Sequence, residues 1–200
     1  MERMTKHNIN DHQWIAAYID ETLAVLTDLK NQAQAVSTVA EMIATALSSG
    51  HKLLTAGNGG SAAEALHLAE ELTGRYSRSD RPALPALCLA ADTTALTCIA
   101  NDWDFSQVFS RQIEAFGQPD DVLVLFSTSG NSANLIAAAQ TMRQRGGKVI
   151  GLLGKGGGKL LPFCDRSIVI ASQKSGSIQE SHQVILHLIL ERVERSVPLV

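Results

Sequence analysis

The sequence predicts an α/β protein in which a parallel sheet is covered by helices on both faces and follows a helical arm. Three observations predict it. Five short runs, 52–56, 86–90, 122–126, 149–153 and 168–170, are apolar without alternation, as strands buried on both faces are. Helical stretches at 62–72, 105–116 and 133–145 separate most of them, and strands alternating with helices make a parallel sheet. The 200 residues, 45% hydrophobic and 18% charged, suffice for one full core and have the balance of a globular chain.

The arm comes first. Ile15, Ile19, Leu23, Leu26 and Leu29 recur at helical spacing and form one apolar face. Val36, Val39, Ile43 and Leu47 repeat the pattern until Ser48-Ser49-Gly50 stops it. Residues 1–50 are therefore read as a helical arm that takes part in an oligomer interface. Residues 51–200 are read as the sheet domain, the two forming one structural unit. A last helix, 178–193, is apolar on nearly every side. One small domain rarely buries such a helix alone, so subunit association is expected.

Several classes are excluded or disfavoured. A net charge of −3 gives no electrostatic case for direct nucleic-acid binding. The opening MERMTKHNIN has no apolar stretch, which predicts no secretory signal. No run reaches the roughly 18 apolar residues of a membrane-spanning helix. Cys88, Cys98 and Cys164 are widely spaced and read as small buried residues in a reducing compartment, with the cytoplasm the expected location.

Ligands in such sheets bind beyond the carboxyl ends of the strands. Two loops there stand out. Gly57-Asn58-Gly59-Gly60-Ser61 opens an alanine-rich helix, and Ser127-Thr128-Ser129-Gly130-Asn131-Ser132 precedes another. The second crowds four hydroxyls around a helix start, where free N–H groups and the dipole favour an anion such as a phosphate monoester. A plain turn with Ser132 as N-cap is the other reading. Neither loop has the spacing of a Walker A or dinucleotide fingerprint. Gly154-Lys155-Gly156-Gly157-Gly158-Lys159 lacks the Ser/Thr that would follow a P-loop lysine, and reads as a flexible connection. His67 and Glu71, at i and i+4, project from one helix face; zinc uses that geometry, although solvated surface pairs share it. Gln179, His182 and His187 interrupt the apolar last helix. His187 is either a core histidine bonded to a carbonyl or a ligand, and it lies eight residues from Gln179, on the same side.

Four blocks together, GNGGSAAEALHLAEELTGR, AND, STSGNSAN and IQESHQVILH, resemble the bacterial phosphoheptose isomerases, of the sugar-isomerase (SIS) type, over about residues 14–193. The resemblance implies a five-stranded parallel sheet between helices and a homotetramer with active sites at subunit contacts. It implies conversion of D-sedoheptulose 7-phosphate to D-glycero-D-manno-heptose 7-phosphate, toward the heptose of lipopolysaccharide. It also implies one zinc per subunit, held by His67, Glu71, Gln179 and His187. Substrate contacts would fall on Asn58, Gly59, Gly60, Ser61, Asn101, Asp102, Ser127, Thr128, Ser129 and Ser132, with Gln179 shared. The pattern departs at Ala62-Ala63 and at Lys174-Ser175-Gly176-Ser177, the latter bearing on contacts to the sugar tail.

Ketose-to-aldose conversion needs a base at carbon, a group handling oxygen protons, and stabilisation of negative oxygen. Glu71 is expected as the base and His187 as its partner. The rival expectation is a non-catalytic SIS scaffold resembling the protein that associates with the bacterial replication initiator. An isomerase or sensor of another phosphosugar is the third.

Overall fold

The computed structural model describes residues 11–197; the MERMTKHNIN segment on which the signal-peptide expectation rests lies outside them. Helix α1 (Asp11–Leu29) leads through a 3₁₀ turn (Lys30–Gln32) into α2 (Ala33–Ser48). Gly50, at φ +85°, ends α2 as its sequence position predicts. The remaining order is β1 (Leu53–Gly57), α3 (Gly60–Thr73), β2 (Ala86–Cys88), α4 (Thr93–Asp102), α5 (Ser110–Phe116), β3 (Val122–Ser127), α6 (Ala133–Gln144), β4 (Lys148–Gly154), β5 (Arg166–Ile170) and α7 (Ser175–Ser196). Further 3₁₀ turns fill Phe105–Gln107 and Gly158–Phe163.

All strand pairs are parallel, in the order β2-β1-β3-β4-β5. Alternate residues of each strand enter opposite cores. Leu53, Val122, Val124, Phe126, Ile150 and Leu152 pack with α2, α3 and α7. Leu54, Leu123, Leu125, Val149 and Leu153 pack with α5 and α6. Two buried faces explain why the strands read as unbroken apolar runs. The chain turns one way from β1 and the other way from β3, so the switch point lies between them. Their carboxyl ends carry the two loops singled out in the sequence, at the position where such sheets bind ligands.

Three details differ from expectation. Helix α4 was not foreseen because its threonine-rich start, TTALT, weakens helix propensity; the Asp92 side chain, accepting from the Ala95 N–H at 2.9 Å, caps it. The helix expected over 105–116 is a 3₁₀ turn followed by the short α5. Cys88 is buried as expected, but Cys98 is exposed and Cys164 only partly covered. Trp14, Ile15, Tyr18, Ile19 and Leu23 of α1 stay exposed, as do Val184 and Leu188 of α7. None of the described helices is long and apolar enough to cross a membrane.

Candidate active site

The two loops meet in one small cavity of about 90 Å³, lined by Asn58, Ser61, Phe126, Ser127, Thr128, Ser129 and Ser132. Reciprocal amide bonds between Asn58 and Asn134, 3.0 and 2.9 Å, staple the β1–α3 loop to the first turn of α6. Asn134 sits within the STSGNSAN block but carried no assignment from sequence. Within the second loop, the Ser127 hydroxyl accepts from the Gly130 N–H at 3.0 Å and the Ser129 hydroxyl from the Asn131 N–H at 3.2 Å. Ser132 occupies the N-cap position of α6, yet its side chain makes no capping bond. The plain N-cap reading therefore fails for this hydroxyl, which remains available together with the helix's terminal N–H groups. Helix α3 likewise starts without a side-chain cap, at Gly59 with φ +56°. Two uncapped helix starts beside one polar cavity favour an anion.

The glycine-rich 154–159 segment is not the flexible connection expected from its composition. A side chain at Gly130 would come within 1.9 Å of the Gly157 carbonyl oxygen, and one at Gly158 within 2.5 Å of the Ser129 carbonyl. The glycines let two backbones touch, so this loop braces the serine loop from behind.

Helices α3 and α7 form the second part of the site. His67 and Glu71 face each other, Nε2 to Oε1 at 3.3 Å, with 29% and 18% of their side chains exposed. The His187 ring meets the His67 ring edge-on, centroids 5.4 Å apart. Gln179 lies over Gly60, where a Cβ would fall 2.4 Å from its Nε2. That amide also reaches the Ser61 hydroxyl at 3.5 Å. Ser61 lines the hydroxyl cavity, so Gln179 joins the two parts. A cavity of about 370 Å³ opens beside it, lined by Gly60, Ala63, His67, Gln179 and Gln183 among others.

The arrangement separates the histidines by environment. His182, fully buried with Nε2 3.4 Å from the Leu153 carbonyl, is the core histidine of α7. His187 is only half-buried and stacks on Tyr76, centroids 5.8 Å apart. Tyr76 follows the GNGGS…TGR block directly and was not singled out. Burial, then the carboxylates of Glu191, Glu71 and Glu194, push its phenol pKa upward. A clamp holds the far ends of the two helices. Buried Arg81 donates to the Glu71 and Leu72 carbonyls and, at 2.9 Å, to Glu194 of α7. Glu194 also accepts from the Ser77 hydroxyl at 2.8 Å. Burial alone would raise its pKa, but the bonds from Arg81, Ser77 and Arg78 outweigh it and hold the carboxyl below the usual range.

Among the described residues, the acidic and imidazole ligand atoms that converge within 4.8 Å belong to His67, Glu70 and Glu71. Glu70 is exposed and had no place in the expected set. Asn101 and Asp102 stand apart at the exposed end of α4, where the Asn101 amide donates to Asp102 at 2.9 Å; they line neither cavity.

A family profile described as SIS domain matches residues 17–154, and a second of the same description matches residues 113–198. The chain belongs to the SIS-domain family. Within it, the phosphoheptose isomerase of Campylobacter concisus (strain 13826) is 49% identical over 156 residues, 78% of this chain and 82% of that protein. The phosphoheptose isomerase of Rhodospirillum rubrum is 43% identical over 180 residues, 90% of this chain and 95% of that one. The solved structure of a phosphoheptose isomerase from Francisella tularensis has a TM-score of 0.90 at 30% identity, covering 94% of this chain and all of that one. The SIS architecture expected from sequence is thus the architecture found, and the enzyme class of these relatives is the sugar-phosphate isomerase expected.

Proposed function

We propose that this SIS-domain chain is an aldose-ketose isomerase that converts D-sedoheptulose 7-phosphate to D-glycero-D-manno-heptose 7-phosphate through an enediol(ate). One observation carries the reading: α3 and α7 bring His67, Glu71 and His187 together, and Gln179 links them to a hydroxyl-lined anion cavity. The names of the relatives support the choice of sugar. Ser127, Thr128, Ser129 and Ser132 hold the phosphate with the N–H groups of α6. Binding energy at that remote end positions the reacting end of the sugar. Glu71 takes the proton from C1 and returns it at C2, while His187 carries protons to and from the oxygens.

One zinc ion per subunit is part of the proposal, held by His67, Glu71, Gln179 and His187. The donor types suit zinc: His67 and Glu71 face each other, the His187 ring meets that of His67, and all three are partly open to solvent, so His187 would have to turn toward the pair to join it. When bound, zinc would polarise the carbonyl and stabilise negative charge on oxygen. The exposed apolar residues of α1 and α7 are read as subunit contacts of a homotetramer, and the location proposed is the cytoplasm.

Incubation of the zinc-supplied protein with sedoheptulose 7-phosphate tests the reading, with aldose formation as the readout. Product is expected. A metal-free protein with no activity after zinc is restored would favour the non-catalytic scaffold, whereas a zinc-holding protein that leaves this sugar unchanged would point to another phosphosugar.

A further inference from the structure

We infer that Gln183 is a positioning residue for His67: its amide fixes which ring nitrogen is free to bind a cation. The inference rests on the metal reading above. Gln183 is four residues from both Gln179 and His187, so all three lie on one stripe of α7 facing α3. Its Nε2 lies 2.9 Å from His67 Nδ1. The other ring nitrogen, Nε2, faces Glu71. Of the two nitrogens, then, one is engaged by Gln183 and the other points at the carboxylate.

A neutral imidazole has one N–H and one lone pair, and a partner on one nitrogen decides the state of the other. An amide serves both tautomers, since its nitrogen donates and its oxygen accepts. With the amide nitrogen toward Nδ1, Gln183 donates to the Nδ1 lone pair, which puts the ring proton on Nε2, toward Glu71. Rotating the amide by half a turn offers its oxygen to Nδ1–H, which frees the Nε2 lone pair beside Glu71. Metal-bound histidines are oriented in this way, usually by a carboxylate or carbonyl on the second nitrogen. A leucine of similar size at 183 serves neither tautomer. A glutamate serves only the Nδ1–H form, and so favours the cation-ready ring.

The test is zinc affinity, measured by competition with a fluorescent chelator, on wild type, Gln183→Leu and Gln183→Glu. Loss of an outer partner typically lowers metal affinity about 10–100-fold, the range expected for Gln183→Leu. Gln183→Glu should bind zinc as tightly as wild type or more so. Equal loss in both variants would reduce Gln183 to a packing residue, and unchanged affinity in Gln183→Leu would remove it altogether. A second measurement needs no variant. Long-range proton–nitrogen correlation spectra of the zinc-loaded wild type should show His67 protonated at Nδ1 and metallated at Nε2; the opposite assignment overturns the inference. If wild type holds zinc and the variants do not behave as stated, this inference alone fails. If wild type holds no zinc, the metal reading fails and takes the inference with it.

Discussion

The two halves of the site are built in different ways. The hydroxyl-lined cavity, proposed to take the phosphate, is made of loops at the ends of adjacent strands, braced backbone against backbone by Gly130, Gly157 and Gly158. The half proposed to carry the chemistry is made of side chains on two helices far apart in sequence, held by the buried Arg81–Glu194 clamp. Rigid backbone suits a group whose shape is constant, such as a phosphate. Side chains with rotatable bonds suit groups that exchange protons and ligands during a reaction. The halves should therefore fail differently when mutated.

The largest effect is expected at Glu71. Glu71→Gln should lower kcat by about 10²–10⁴, the usual worth of general acid–base catalysis, while phosphosugar binding measured by calorimetry stays detectable. Wild-type turnover would remove Glu71 from the chemistry.

The clamp comes next. Breaking a buried pair costs about 3–5 kcal/mol, so Glu194→Gln should lower the urea midpoint by a corresponding amount. The pH dependence follows from the depressed carboxyl. Its stabilisation is complete above the unfolded pKa, near ~4.3, and is lost as pH falls through the lower folded value. Urea titrations across the acid range should show this loss in wild type and a smaller one in Glu194→Gln.

A matched pair of glycines separates the halves directly. At Gly130 a methyl group meets backbone at positive φ, so Gly130→Ala should cost at least about 1–2 kcal/mol of stability. At Gly60 the nearest atoms it meets are the end of the Gln179 side chain. Gly60→Ala should fold with less loss and weaken zinc retention by displacing the amide. Equal destabilisation of both would contradict the contrast between rigid loop and adjustable helix pair.

Ser132→Ala should be the mildest change for the fold. A hydrogen bond to a charged group is worth about 1.5–3 kcal/mol, so KM should rise about 10-fold or more. Because the hydroxyl caps nothing, the melting temperature should barely move. A large fall in melting temperature would restore the capping role.

The strand runs, the alternation with helices and the two ligand loops were legible because each rests on local pattern: apolar continuity, helical spacing, clustered hydroxyls. The i, i+4 pairing of His67 and Glu71 was legible for the same reason. Helix α4 was hidden because a single capping bond from Asp92 offsets its weak propensity. Gln183 and Tyr76 were hidden because nothing local marks them; their partners, His67 and His187, lie on another element. Gln183 could have been found by noting that it bisects the interval between Gln179 and His187.

Strand–helix order, the composition of the two loops and the residue types able to bind an anion or a cation all follow from local pattern in the chain. Only tertiary contacts settle which histidine of α7 is core and which meets Tyr76 and His67, that the glycine-rich segment braces the serine loop, and that α7 lies beside α3. The physical reason is range. Backbone preference and periodicity act over a few residues, whereas burial, ring stacking and tautomer depend on contacts that exist only once the sheet has brought distant helices together.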